Sequence, residues 1–348
     1  MDSRKIQMPR EVHIGPDLIG NTGNICNDLR LDKEALIVTG NTTFNIAGKQ
    51  AMDSLEDEGF TVDYIKVKDA DIDSVNKVQD KSENFSFILG IGGGKVIDVA
   101  KMASNNTELY FMSMPTTASH DGIVSPLASI KDSKGSVSMK AQAPLGVIAD
   151  TNIITNASFR LLAAGCADII SNFTAIKDWK LAKRLKNVYY SESAASLSEM
   201  SSKLITKYSG SIKEGLEEST RLVVKTLFSS GMAISIAGSS RPASGSEHKF
   251  SHALDQLLDK PALHGEQCGI GTIMMMHLHG GDWKFIKDNL AKIGAPTTAE
   301  ELGVDPEIII EALLNAHKIR PDRYTILGDN GLSCDAARNL AIKTEVIE

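Results

Sequence analysis

The sequence has few cysteines and no arrangement of them. Cys26, Cys166, Cys268 and Cys334 are scattered, with no CxxC pair. That excludes a disulfide scaffold and the paired-cysteine zinc signatures, and fits reduced, buried, inert thiols. No apolar run reaches membrane length, so no integral membrane protein is expected. The start, MDSRKIQMPREVHIG, lacks the apolar core of a signal peptide, and a cytoplasmic location is expected. Positive charge is short as well: 37 Lys and Arg stand against 44 Asp and Glu, a formal net charge of −7. No nucleic acid partner and no anionic membrane is expected, although a local basic pocket can still hold a small anion. Internal repeats, low-complexity linkers and long charge runs are absent too. What remains is ordinary for a soluble enzyme: 348 residues, 42% hydrophobic and 23% charged, enough for two domains and a sizeable core.

The first half alternates strand and helix. Strands are expected at Ala35–Thr39, Thr61–Val67, Phe85–Gly90, Leu109–Met114 and Leu145–Ala149. Helices are expected at Phe44–Glu58, Asp71–Asp80 and after Gly94. This alternation predicts a parallel sheet covered by helices on both faces. VSPLASIKDSKGSVSMKA breaks the pattern and reads as a hairpin turning at Asp132-Ser133-Lys134-Gly135. After about Ser158 the strand signal stops. Helical periodicity then runs through Ala167–Leu185, Gly215–Ala237, Glu247–Asp259, Ile270–His279, Trp283–Ile293, Pro306–Ile319 and Cys334–Ile347. Two domains are expected, 1–160 and 161–348.

Chemistry concentrates in Gly245–Gly269, GSEHKFSHALDQLLDKPALHGEQCG. His248 and His252 are four apart and share a helix face, which Asp255 and Asp259 continue. Leu254, Leu257 and Leu258 lie opposite. Pro261 is expected to end the helix, and His264 to follow in a loop that Gly265 lets turn tightly. Neutral imidazoles a loop apart can converge on zinc or another borderline metal. The competing reading is a solvated polar face, since the spacing is not the tight HExxH pattern. In GCADIISNFTAIKDWK, Asp168 sits among small and apolar residues where a helix is expected to start. A charge there needs a partner. Asp168, His248 and His264 would supply three ligands and leave one tetrahedral position open, as catalytic zinc sites do.

Two further turns point to a cofactor. GIGGGKVIDVAK follows a buried strand and opens a helix, whose free N–H groups suit a phosphate beside Gly92, Gly93, Gly94 and Lys95. It is not GxGxxG, because Lys95 stands where the third glycine would be. It is not the nucleotide-triphosphate loop either, because Leu89 and Val96 occupy diagnostic positions. PTTASHDGIVSP gathers Thr116, Thr117 and Ser119 past a strand's carboxyl end, where open α/β sheets bind ligands. Asp121 is the carboxylate of that loop, and either caps the following turn or meets a ligand.

Together GGGKVIDVAK, PTTASHDGIVSP, ADTNII, GCADIISN, GSEHKFSHALD and HGEQCGIGT resemble the superfamily of glycerol dehydrogenase, iron-containing alcohol dehydrogenase and dehydroquinate synthase. The likeness covers nearly the whole chain in motif order and points to the archaeal branch that makes sn-glycerol 1-phosphate. It implies a Rossmann-like α/β N-terminal domain with a parallel sheet, an all-α C-terminal domain and an active site in the cleft between them. By that resemblance the metal ligands are Asp168, His248 and His264, with Asp168 also counted as catalytic. His252 and Asp121 meet the substrate. The dinucleotide pyrophosphate falls on Gly94, Lys95, Val96, Ile97 and Asp98, and other cofactor contacts on Thr116, Thr117, Ala118, Ser119 and Ser125. NAD-preferring relatives often end the first strand with an acid. Here Gly40-Asn41 stands there, so NAD(H) and NADP(H) are both expected to serve.

The implied reaction is reduction of dihydroxyacetone phosphate to sn-glycerol 1-phosphate, the backbone of archaeal membrane lipids. A divalent metal, zinc by expectation, would act as Lewis acid, and His252 would relay the proton. A homo-oligomer is expected, with a phosphorylated triose or polyol as its small-molecule partner. The rivals are a glycerol dehydrogenase acting on an unphosphorylated polyol, a dehydroquinate synthase, a metal hydrolase and a nucleotide-binding sensor with a structural metal. Dehydroquinate synthase is disfavoured because its relatives carry Glu at the place of Asp168.

Overall fold

Side-chain alternation along the central strands builds two apolar layers. Ala35 and Ile37, Phe87 and Leu89, and Met112 and Met114 point to one layer. Leu36 and Val38, Ile88 and Phe111 point to the other. Successive residues of a strand face opposite ways, so near-continuous apolar strands need cover on both sides. The computed structural model, which describes residues 6–132 and 135–348, shows this arrangement. Strands β1 (Glu11–Gly15), β2 (Glu34–Thr39), β3 (Thr61–Lys66), β4 (Phe87–Gly92), β5 (Tyr110–Pro115) and β8 (Gly146–Asp150) form one sheet in the order β1-β8-β5-β4-β2-β3. Every pairing in it is parallel. Helices α1 (Thr22–Asp28), α2 (Lys49–Asp57), α3 (Ile72–Lys81) and α4 (Gly94–Asn106) lie between strands in the chain. β6 (Leu127–Asp132) and β7 (Gly135–Lys140) pair antiparallel as the expected hairpin; its turn residues Ser133 and Lys134 fall outside the described residues.

The rest is helical: α5 (Phe159–Lys186), α6 (Glu192–Tyr208), α7 (Glu217–Ala237), α8 (Ser246–Leu257), α9 (His264–Leu278), α10 (Trp283–Ile293), α11 (Pro306–Asn315) and α12 (Cys334–Lys343). The chain forms two compact units. One is Met1–Phe159 with Glu214–Ser235, the other Arg160–Lys213 with Ile236–Glu348. Glu214–Ser235, which the sequence places in the helical half, belongs to the first unit. Gly231 there lacks a side chain where a Cβ would come within 3.1 Å of Asp121 O and Val124 Cβ, and Thr155 bonds Thr220 at 2.8 Å.

Several elements differ from the sequence reading. β1 and α1 are not legible because β1 is five residues long and mostly half-buried. α6 escapes a periodicity search because its buried face is serine: Ser198, Ser201 and Ser202 return hydroxyls to carbonyls rather than packing apolar groups. α5 begins at Phe159, so Asp168 sits well inside it and not at its start. α8 ends at Leu257 before Pro261, leaving Asp259 exposed and off the helix. α5 is also long and apolar enough, by length and composition alone, to cross a membrane, although no such run was expected; most of it is buried inside the fold.

Candidate metal centre and nucleotide turn

Small residues decide how closely three helices of the second unit approach. A Cβ on Gly265 would overlap the Ala164 carbonyl of α5. One on Gly269 would press within 3.3 Å of Ala167 Cβ, and one on Gly271 within 3.0 Å of Glu247 in α8. α9 therefore packs nearly backbone to backbone against α5 and α8. This corrects the reading of Gly265 as a turn residue: His264 is the first residue of α9, not part of a loop, and Gly265 is needed for the crossing. An alanine there is expected to cost roughly 1–3 kcal/mol by overpacking. Thermal unfolding of Gly265→Ala checks it, and an unchanged midpoint would refute the packing argument.

The crossing brings Asp168 of α5, His248 of α8 and His264 of α9 together. Asp168 Oδ1 lies 3.6 Å from His248 Nε2 and 3.8 Å from His264 Nε2, and the imidazole centroids are 4.9 Å apart. Tetrahedral bonds of about 2.1 Å would set neighbouring ligand atoms about 3.4 Å apart. The observed separations sit just above that, too long for hydrogen bonds and close to the span of a shared ion.

The surrounding bonds fix which ring nitrogen faces inward. Ser251 Oγ donates its one hydrogen to Gln267 Oε1 at 2.9 Å, so toward His264 Nδ1, 3.2 Å away, it can only accept. Gln267 is held in that sense by its amide, which donates to Asp255 Oδ1 and Ala262 O. His264 therefore carries its hydrogen on Nδ1 and a lone pair on Nε2. His248 Nδ1 donates to Glu247 Oε1 at 2.9 Å, with the same outcome. Metal-binding imidazoles are oriented in this way by acceptors behind them. Burial pushes His248 well below its ordinary pKa, and the charges of His264, His252, Arg323 and Arg320 act in the same direction. The ring stays neutral, as a ligand must.

Glu247 and Cys268 were missed by sequence reasoning. Glu247 is fully buried, and burial followed by the charge of Asp178 raises its carboxyl to about 7. It also accepts from Thr174 Oγ1 at 2.6 Å. Its signal was its place directly before His248. Cys268, read as inert, places Sγ 3.6 Å from His264 Nε2 and in the same cluster of ligand atoms, all within 4.8 Å of one another. Burial, then Asp168 and Glu247, holds its thiol well above the ordinary range. Asp178 anchors the segment from behind, accepting Ser246 N and Oγ at 2.6 Å and Ile326 N at 2.6 Å.

His252 stands apart from the ligand atoms. Its ring centroid is 5.9 Å from that of His264, and its Nδ1 is 3.7 Å from Asp255 Oδ2, beyond hydrogen-bond reach.

In the first unit, β4 and β5 are neighbours and place their carboxyl ends side by side. Gly92 pairs with Pro115, and Thr116 N donates to Gly92 O at 3.0 Å. The glycine turn and PTTASHDG thus meet: a Cβ on Gly93 would lie 3.4 Å from Thr117 Oγ1, and one on Gly94 would overlap the His120 ring. His120, unremarked in the sequence, takes Gly122 N–H on Nδ1 at 2.9 Å. The N–H groups of Gly93, Gly94 and Lys95 start α4 with no carbonyl one turn earlier to bond.

The side chains of Val96, Ile97 and Ala118 are buried, as are Thr116 and Ser125. Asp98 is engaged with Lys101 Nζ at 3.1 Å and Ser129 N at 3.0 Å, and Lys95 reaches Asp69 at 3.1 Å. Thr117 and Ser119 are partly exposed. Asp121 opens a short turn and accepts Ser230 Oγ at 2.9 Å; burial raises its carboxyl above the ordinary value, against the pull of Ser230. Asp150 of ADTNII caps the next turn through Asn152 and Ile153 and also accepts Leu18 N at 2.7 Å, a structural task.

A parallel sheet with a glycine turn in one unit, and an Asp-His-His cluster in the other, are the parts of a metal-dependent alcohol dehydrogenase. The family model for iron-containing alcohol dehydrogenase matches residues 13–158. Glycerol dehydrogenase from Schizosaccharomyces pombe shares the fold at TM-score 0.83, with 21% identity over 99% of this chain and 91% of that one. A glycerol-1-phosphate dehydrogenase (NAD(P)+) from Methanobrevibacter smithii is 67% identical over 348 residues, all of both chains. The one from Methanothermobacter thermautotrophicus is 65% identical over 347 residues, again covering both completely. The chain belongs to this glycerol-1-phosphate dehydrogenase family.

Proposed function

We propose that the chain is an NAD(P)-dependent sn-glycerol-1-phosphate dehydrogenase, reducing dihydroxyacetone phosphate in the synthesis of the archaeal lipid backbone. The observation that carries this is end-to-end identity of 67% to a relative of that name, over a chain whose Asp168, His248 and His264 converge. It is an oxidoreductase of CH–OH groups using NAD(P) and a divalent metal, and its nitrogen and oxygen donors suit zinc. Segment 1–160 is the dinucleotide-binding part and 161–348 the metal- and substrate-binding part. We take it to be cytoplasmic and a homo-oligomer.

Asp168, His248 and His264 hold the metal, which when bound supplies Lewis acidity at the substrate oxygen. His252 passes the proton, its Nδ1 lying within reach of Asp255 after a small shift. Asp121, whose burial favours the neutral carboxyl, meets a substrate hydroxyl. The pyrophosphate lies on Gly92, Gly93, Gly94, Lys95, Val96, Ile97 and Asp98. Since Val96 and Ile97 bury their side chains and Asp98 is already paired, the donors are main-chain N–H groups. Thr116, Thr117, Ala118, Ser119 and Ser125 line the neighbouring loop, with Thr117 and Ser119 offering hydroxyls.

Absorbance of reduced nicotinamide with dihydroxyacetone phosphate, dihydroxyacetone, glycerol 1-phosphate and glycerol tests the reading. Turnover is expected with the phosphorylated pair; preference for glycerol would move the chain to the unphosphorylated-polyol reading. Cofactor choice is a second expectation. Gly40 follows β2, and its Cβ position lies 3.8 Å from Val96 Cγ2, beside the glycine turn. Neither Gly40 nor exposed Asn41 repels a 2′-phosphate, so the two cofactors should differ by about tenfold at most. Gly40→Asp should shift the ratio of kcat/KM toward NADH. A wild-type ratio beyond about a hundredfold, or no shift in the variant, would place selectivity elsewhere.

A further inference from the structure

Among the described residues three cations are buried, Lys101, Lys249 and Arg323, and of these Lys101 has an ion pair, with Asp98 at 3.1 Å. Arg323 and Lys249 lie in the second unit together with the partly exposed Arg241 and Arg320. None makes an ion pair with a described residue, and their donors meet only neutral oxygens. Arg323 donates to Ser244 O at 2.6 Å and Ser240 Oγ at 2.7 Å. Arg320 reaches the same Ser240 Oγ at 3.5 Å, Arg241 reaches Tyr324 O at 3.5 Å, and Lys249 reaches His317 O at 3.4 Å. Two guanidinium groups thus gather at one hydroxyl.

This crowding costs free energy. Arg323 is 5% exposed and Lys249 3% exposed, and a buried charge without an opposite partner is destabilising. Burial, then Arg320 and Arg241, pushes Arg323 down to about 9, against the smaller opposing pull of Asp322 and Glu247. Arg320 is held at φ 47, a left-handed conformation a long side chain rarely adopts. Arg241 and Arg320 are partly exposed, so both are open to a ligand, and each spends one of five donors on a long contact. The cluster also lies within electrostatic range of the metal centre, since Arg323 and Arg320 both act on His248. Guanidinium groups beside a substrate site that feel Asp322, Asp178 and Glu247 but bond no described carboxylate are what a dianionic phosphate would neutralise, each planar fork matching a pair of its oxygens.

We propose that Arg241, Arg320 and Arg323, with Lys249 adding to their field, bind the phosphate of the substrate at this centre. This rests on the proposed reaction and names the residues that set its preference for a phosphorylated triose. The partly exposed members are the ones to change, because Arg323 has short bonds within the fold. In Arg320→Gln and Arg241→Gln, KM for dihydroxyacetone phosphate should rise about tenfold to a hundredfold. The loss on dihydroxyacetone, which has no phosphate, should be far smaller, and KM for NADH unchanged. Arg320→Lys, keeping charge without the fork, should recover part of the loss. Inorganic phosphate should inhibit the wild type competitively against dihydroxyacetone phosphate, and more weakly in both glutamine variants. Equal losses on both substrates, or an unchanged KM in both variants, would overturn the proposal. So would weakened phosphate inhibition with an unchanged substrate ratio, which would mark a site for free phosphate. A wild type that never turns over the phosphorylated triose would instead overturn the reaction itself.

Discussion

His264→Ala is expected to lose nearly all bound metal and nearly all turnover. Three protein ligands leave one position for substrate and none in reserve. His264 also sits at the end of a directed chain, Asp255 to Gln267 to Ser251 to Nδ1, which spends the ring's hydrogen outward and its lone pair inward. Among the described residues Cys268 is the further group placed with the ligand atoms, with Sγ 3.6 Å from His264 Nε2. Its thiol is held well above the ordinary range, so at neutral pH it offers no thiolate of its own. Asp168→Ala and His248→Ala should behave alike, while Cys268→Ala should keep the metal. Elemental analysis of purified protein decides: a full equivalent of metal in His264→Ala would remove it from the ligand set.

His252→Ala should give the opposite pattern, with metal retained and turnover lower by about a hundredfold or more. His252 is one helical turn from His248, close enough to serve the same substrate, yet its ring stands 5.9 Å from His264 and outside the group of converging ligand atoms. A residue that moves a proton lowers kcat when removed, whereas a ligand lowers metal content. The two measurements made together on one preparation separate these roles. Loss of metal in His252→Ala would make it a ligand.

The sequence by itself determined the central strands β2, β4, β5 and β8 and their two-sided burial, because continuous apolar runs ended by glycine and proline have few other solutions. It also determined the glycine turn after a buried strand, and the three residues Asp168, His248 and His264, which the structure brings together from three helices. Short-range chemistry was enough for the turn and for naming the three side chains as candidates, while their role as ligands came from the family resemblance.

What only the tertiary structure decided depends on approach distance. Gly265, Gly269 and Gly271 read as turn or filler in a linear sequence, yet each removes a Cβ where helices touch. Glu247 looked like one more acid on a helix until its burial and its bond to His248 Nδ1 gave it a task. Cys268 was a scattered thiol until the crossing of α5 and α9 set its sulfur beside His264. The serine-lined α6 was hidden from an apolar pattern, because hydroxyls that bond carbonyls, Ser198 to Pro242, Ser201 to Leu197 and Ser202 to Ile169, can be buried without being apolar. The arginines at 241, 320 and 323 carry no motif or spacing in the sequence. Folding alone gathers two of them at one serine and leaves all three without an ion pair among the described residues, since the distance between charges, which sets their energy, is not written in the order of residues.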